Sequence, residues 1–532
     1  LNKGKQIHEE IIKRGLLKEN VVLGNALVDM YVKCGAITMA WHLLEELPVR
    51  NAVSWNSMIA GYAQEGNRGH EAFSCFAQMQ REGLTPSEIT FTCILNACGN
   101  IGSLSKGEEI HSEIIRRGLL KKNIVLGNAL IDMYAKCGGL EKAHEILEDH
   151  PGRNIISWNT LIAGYVEHGY SKEAVCSFEQ MQRDNFPPDE FTFITILKAC
   201  GSIGSTDKGE EIHATIVKEG LLETNISIGN ALVDMYVKCG MLTKAREVFD
   251  ELPFKDVLSW NVMVSGYAQY GHDNEVLNGF GSMRQGGVTP DALIFLCMLK
   301  ACGNMVAVDA GKEIHDAIIR EGLIKKDIVV GNALIDMYTK FSLIVKAQEV
   351  FDELPIKDIV SWIVLISGYA QLGKDDSVID LFNRMLGDGI EPDPIVFTIV
   401  INACSHASLV DKGQMYFISM SAIYGIAPTF EQQTCIVDLL SRAGQFDEAI
   451  VVIKEMSICD YLPVWTTLLG SCQKWGNVKV GKVAFDHAVR LDERCTTTYL
   501  SMTNIYGFAS MREDSSMLNY VRVENIAGKV PI

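Results

Sequence analysis

GNALIDMYAKCG, residues Gly127–Gly138, is followed by SWNTLIAGYVEHG at Ser157–Gly169 and FTFITILKACGSIG at Phe191–Gly204, and the same three phrases recur before and after this stretch. Trp158 returns as Trp55, Trp260 and Trp362, at spacings of 103, 102 and 102 residues, and Cys98, Cys200, Cys302 and Cys404 keep a spacing of 102. Each long period divides into subunits of 31 (124–154), 35 (155–189) and 36 (190–225) residues. A fixed period of this size marks a solenoid, in which one unit cannot bury its apolar face alone and must stack on its neighbours. Within 155–189, Trp158, Leu161, Ile162 and Tyr165 fall on one helical face, Gly169 punctuates, and Ala174, Phe178 and Met181 stripe a second helix. Two antiparallel helices per unit follow, and the fold class is all-α.

Working outward, Leu1–Asn20 matches the end of a 36-residue unit and reads as a truncated long repeat. Units then run 21–51, 52–87, 88–123, 124–154, 155–189, 190–225, 226–256, 257–291, 292–327, 328–358, 359–393, 394–429 and 430–461. Residues 462–532 form a looser helical extension, with pairs expected over Val464–Cys495 and Thr496 to about Val523. A terminal cap and a docking surface are both open readings of it. Leu1 opens mid-unit without a methionine, which leaves a targeting peptide undecided.

A solenoid of 532 residues needs only one continuous core, and 48% hydrophobic residues suffice to pack its helices. Pro48, Pro151, Pro253 and Pro355 sit at unit ends and suit short connectors. The 15 cysteines fall at repeat-equivalent places and include no Cys-x-x-Cys pair, so they read as small buried hydrophobes in a reducing compartment. No apolar run is long enough to span a bilayer. A net charge of −18 opposes wholesale phosphate binding, but Lys33, Lys136, Lys238 and Lys340 occupy one equivalent spot, so a basic line can coexist with an acidic back.

VSWNSMIAGYAQEG at Val53–Gly66, GNALVDMYVKCG at Gly24–Gly35 and ILNACGNIGSLSKGEEIH at Ile94–His111 resemble the pentatricopeptide repeat family, in particular the plant PLS subclass that alternates short, standard and long units. Ala422–Ala449, VWTTLLGSC at Val464–Cys472 and TTYLSMTNIYG at Thr497–Gly507 resemble that subclass's last repeats and its E-type extension. The resemblance implies a right-handed superhelical solenoid that binds single-stranded RNA in an organelle. Most such proteins are specificity factors for cytidine-to-uridine editing. The DYW deaminase domain that often follows the extension is not in this sequence, so a DYW-type deaminase or editing accessory protein is the partner expected at 462–532.

In a reader of one base per unit, two or three side chains at equivalent positions hydrogen-bond one unstacked base. Asn56, Asn159 and Asn261 follow the tryptophans, and Asn25, Asn128, Asn230 and Asn332 hold the equivalent place in short units. An amide donates and accepts together. By resemblance, each pairs with the last residue of its unit: Asn51, Ser87, Asn123, Asn154, Asp189, Asn225, Asp256, Asp291, Asp327, Asp358 or Asp393. Asn with Asp then favours uracil, Asn with Asn or Ser favours cytosine, and Thr92 with Asn123 favours adenine. From the amino end, taken as five-prime, the units spell pyrimidine, C, A, pyrimidine, U, any, U, U, any, U, a pyrimidine-rich target. The family sandwiches bases between apolar side chains at the places held here by Val22, Val53, Val125, Ile156, Leu258 and Val360, and the repeated lysines would face phosphate. Ile194, Leu296 and Ile363 replace the reading residue and space or stack, and Tyr461 and Phe341-Ser342 also depart from the pattern.

Asn and Asp also cap helices, so a purely structural role for these residues is the competing reading, as solvated surface is for the lysines. A zinc deaminase needs His-x-Glu and Pro-Cys-x-x-Cys. His8 and His111 open such a triplet, but the equivalent His213 is followed by Ala214-Thr215 and His315 by Asp316-Ala317, with no Glu in the third place, which assigns the histidines to the repeat. GNVKVGK at Gly476–Lys482 lacks the hydroxyl residue and the preceding strand of a phosphate loop. The expectation is therefore a noncatalytic RNA-binding protein without cofactor, metal, membrane or small-molecule substrate, in a mitochondrion or chloroplast, with the mitochondrion ahead. RNA stabilisation or splicing is one alternative, and a protein-interaction scaffold suited to an acidic surface is another.

Overall fold

Asn, Asp and Ser stand immediately before most first helices, and their side chains satisfy the backbone N–H groups that a helix leaves unpaired at its start. Asn51, Ser87, Asn154 and Asp189 each form a capping box with the Ser or Thr three residues on. The computed structural model describes residues 1–18, 20–65, 68–120, 123–455 and 460–508. Among them every regular element is helical. First helices begin at Val21, Ala52, Glu88, Ile124, Ile155, Glu190, Ile226, Val257, Ala292, Ile328, Ile359, Pro394 and Phe430, the residues at which the sequence divides. Leu462–Trp475, Val478–Leu491 and Thr496–Phe508 follow, and the part of the extension expected beyond 508 lies outside the described residues.

The chain is an all-α solenoid divided into two compact units, Leu1–Gly266 and Tyr267–Ile532, with the cut inside helix Val257–Gln269. Within each, the first helices away from the cut pack on their own second helix and on the first helix of the next hairpin. Trp55, Trp158 and Trp362 are fully buried, as are Leu161, Ile162, Ala174, Phe178 and Met181 of the 155–189 hairpin, while Tyr165 stays half-buried against His144. Glycine allows a close approach between first helices: a Cβ on Gly164 would meet the Ala135 Cβ at 2.6 Å.

Two details differ from the sequence expectation, and a third extends it. Long units contain more than two helices, because a short extra turn precedes the next cap at Leu16–Lys18, Leu221–Thr224 and Leu323–Lys325. The cysteines are not uniformly buried. Cys98, Cys200, Cys302 and Cys404 are, and burial pushes their thiols up to about 11 or 12, but Cys34 and Cys176 are exposed. Cys137 has its sulfur 3.6 Å from the Cys98 carbonyl of the preceding first helix. Finally, His8, His111, His213 and His315 each place Nδ1 2.8–2.9 Å from the hydroxyl of Tyr31, Tyr134, Tyr236 or Tyr338 in the next hairpin. Burial lowers the pKa of His111, His213 and His315, so the neutral ring is the one that packs.

Candidate nucleic-acid interface

The fifth residue of a first helix lies one turn in from its cap, where it reaches the cap of the following hairpin. Asn159 Nδ2 donates to both carboxylate oxygens of Asp189, at 2.9 and 3.0 Å. Asn25 donates to Asn51 at 3.2 Å, Asn128 to Asn154 at 3.5 Å and Asn230 to Asp256 at 3.4 Å, and in the second unit Asn332 donates to Asp358 at 3.3 Å. The same Oδ1 atoms cap the next helix, accepting from the backbone N–H of Ser54, Ser157, Thr192, Ser259 and Ser361 at 2.7–3.1 Å. Capping and pairing thus coexist on one atom. Burial alone would raise the pKa of Asp189, Asp256 and Asp358, but these hydrogen bonds outweigh it and hold all three below the usual carboxylate value.

Two expected pairs are not formed. Asn56 and Ser87 make no mutual hydrogen bond, and the buried Asn56 Oδ1 has no partner, because the shorter serine hydroxyl turns to Thr90 at 3.0 Å. Thr92 and Asn123 are held apart by Glu88: the Thr92 hydroxyl donates to the Glu88 carbonyl at 3.0 Å, and the Asn123 amide donates to the Glu88 carboxylate. Asn261 and Asp291 belong to different units, and Asp291 caps its own helix through the Ile294 N–H at 3.1 Å.

Val22, Val53, Val125, Ile156, Leu258 and Val360 are all exposed, at 46–75%. Isolated exposed apolar residues are ordinary, but recurrence at one register marks a contact surface. The row extends further than expected. Ile89, Phe191, Leu293, Val329 and Ile395 also stand two residues after a cap and are exposed, residues that the reading of the short and standard units passed over. Their signal was present in the sequence as an apolar residue at the second position after each Asn, Asp or Ser cap. Ser227 is the exception among the units from 21 to 429.

The lysine line needs a correction. Lys33, Lys136, Lys238 and Lys340 each bind the aspartate four residues earlier, Asp29, Asp132, Asp234 or Asp336, at 2.6–2.8 Å. Their charge is locally compensated, and the stems of the last three lie over Gly99, Gly201 and Gly303 of the preceding first helix. These residues are partly structural staples, which tempers a pure phosphate role.

In the first unit these elements converge on a recess of about 380 Å³ lined by Asp132, Lys136, Ile156, Asn159, Thr160, Glu167 and Phe191, among others. Two apolar side chains from consecutive first helices, an amide and a half-compensated cation are what a flat, polar-edged ring with a phosphate requires. Among the described residues no group of three His, Cys, Asp or Glu is placed to hold a metal, and no helix is long and apolar enough to cross a membrane.

Comparison with known proteins agrees with this picture. The PPR repeat family matches residues 50–100, 153–202 and 357–406, and the PPR repeat matches seven further segments between 89 and 460. A putative pentatricopeptide repeat-containing protein of Arabidopsis thaliana is 35% identical over 514 residues, covering 96% of this chain and 74% of that protein. Two others from the same plant, each 32% identical over 527 residues and 99% of this chain, are named chloroplastic (60% of its length) and mitochondrial (80% of its length). Among solved structures, the pentatricopeptide repeat protein PPR10 in complex with an 18-nt psaJ RNA element is similar in fold, with a TM-score of 0.55 at 17% identity over 95% of this chain and 84% of that chain. PPR10 from maize gives 0.53 at 16% identity over the same shares of the two chains.

Proposed function

The chain belongs to the pentatricopeptide repeat family, and on that premise we propose that it binds single-stranded RNA sequence-specifically, one nucleotide per hairpin. The observation that carries this reading is the recurrence of an amide hydrogen-bonded to the next cap beside an exposed apolar side chain. An Asn–Asp pair presents a donor and acceptors to the edge of a uracil, and the apolar side chains hold its faces. The target is pyrimidine-rich, in the order given above. Its place is an organelle, mitochondrion or chloroplast. The finer role is that of an editing specificity factor of the PLS subclass, which positions a cytidine while a DYW-type deaminase acts in trans through the E-type extension at 462–532.

Changing Asn159→Thr while keeping Asp189 moves preference at that nucleotide from uracil toward guanine, read by gel shift with paired RNAs that differ at one base. Equal binding of both proteins to both RNAs removes the code. The net charge of −18 favours the scaffold reading, and it prevails if protein ligands bind in the absence of RNA while the designed RNA does not. Sequencing organellar transcripts from a loss-of-function line separates editing from stabilisation or splicing, since unchanged editing at every site sinks the editing role.

A further inference from the structure

Helix Leu462–Trp475 repeats the register of the preceding first helices, with Trp465 where Trp158 stands, Thr466 in place of Asn159 and Lys474 in place of Glu167. It packs on Phe430–Arg442, joined by a buried Ser441–Ser471 hydrogen bond of 2.9 Å and by Trp475 Nε1 donating to the Arg442 carbonyl at 3.1 Å. Between the two helices lies a recess of about 410 Å³ lined in part by Asp438, Arg442, Thr466, Gly470 and Lys474. Position by position it corresponds to the recess at Asn159, where Asp132, Lys136 and Glu167 line the wall.

The two differ in charge. Asp132, Lys136 and Glu167 sum to −1, whereas Asp438, Arg442 and Lys474 sum to +1. Arg442 is held by Asp438 at 2.7 Å, as each repeat lysine is held by its aspartate. Lys474 is not. Gly470 occupies the place four residues earlier, and among the described residues no carboxylate lies within 4.0 Å of the exposed Lys474. At the N-terminal ends of the same helices the exposed Phe430 lies against Tyr461, with ring centroids 5.4 Å apart. A lysine with no carboxylate partner among the described residues, the Thr466 hydroxyl, which donates to the Pro463 carbonyl at 3.0 Å and keeps its lone pairs to accept, and an aromatic pair toward the other end of the same helices are the kinds of part from which sequence-tolerant single-strand sites are built.

We infer that helices Phe430–Arg442 and Leu462–Trp475 form an additional nucleotide site, one hairpin beyond the repeats, that grips phosphate through Lys474 and takes any base. This rests on the RNA-binding reading of the repeats. The extension then touches RNA itself, beside whatever protein it recruits.

The test uses the full chain and a 13-nucleotide RNA, CCACUAUUAUUUU, one nucleotide for each of the units 21–461. It is compared with two RNAs lengthened by one uridine at either end. Addition at one end tightens binding at least about fivefold, and addition at the other end does nothing. Lys474→Glu abolishes the gain and lowers the slope of log affinity against log salt by about 0.7. Gly470→Asp does the same with the lysine in place, because it restores the local acid, and a Cβ there meets nothing within 4 Å. Unchanged melting temperatures show that both variants fold. Equal binding of all three RNAs by the wild type, or a gain retained in both variants, overturns the site while the repeats still bind the 13-mer. Failure to bind the 13-mer overturns the reading of the repeats and this site with it.

Discussion

Both oxygens of the Asp189 carboxylate accept from the Asn159 amide while Oδ1 also accepts from the Thr192 N–H at 2.9 Å, so the group proposed to read a base also starts the next helix. Asp189→Ala therefore lowers stability at neutral pH by about 1 kcal/mol, seen as an earlier urea midpoint. Its pH dependence follows from the depressed pKa. The stabilisation is complete above the unfolded carboxylate pKa of about 3.9 and is lost as pH falls through the lower folded value, so the gap between wild type and variant closes in acid. A gap that widens below pH 4 contradicts the assignment. The spacing of asparagine and cap was legible in the sequence because each recurs at a fixed distance from the tryptophan. What was not legible is the intrusion of Glu88 between Thr92 and Asn123, since it depends on a threonine hydroxyl bonding back to a carbonyl four residues earlier.

Where hairpins meet, backbone proximity sets the width of the recess. Gly164 lets its helix approach Ala135 so closely that a Cβ would sit 2.6 Å away. Gly164→Leu forces the two first helices apart and destabilises the chain by about 1–3 kcal/mol in urea unfolding, and it weakens RNA binding as well. Unchanged stability would show that the helices part freely there. Helix starts could be read off the sequence because Asn, Asp or Ser stands before an apolar run at most unit boundaries. The turn Leu221–Thr224 could not, because four residues carry no periodicity and its entry rests on Gly220 with φ of +68°.

Charge is the property that belongs to the whole molecule. With a net −18 and every repeat lysine beside an aspartate, the array gains less from counterion release than four free lysines would, for which the salt slope would approach about −3. Freeing one lysine by Asp132→Asn tightens RNA binding and steepens that slope, measured by anisotropy across a salt series. An unaltered slope would mean that phosphate never reaches Lys136. Composition alone pointed away from a polyanion, and only the register of the lysines and their partners explains how the two can be reconciled. The exposed valines and isoleucines after the caps give the sign of the charge a further meaning. An unladen array carries a ladder of oily edges that any second copy could adhere to, and mutual repulsion of like-charged chains keeps such encounters brief. That protection fades near the isoelectric point of about 5.2, where colloidal stability comes to depend on whether the ladder is already covered.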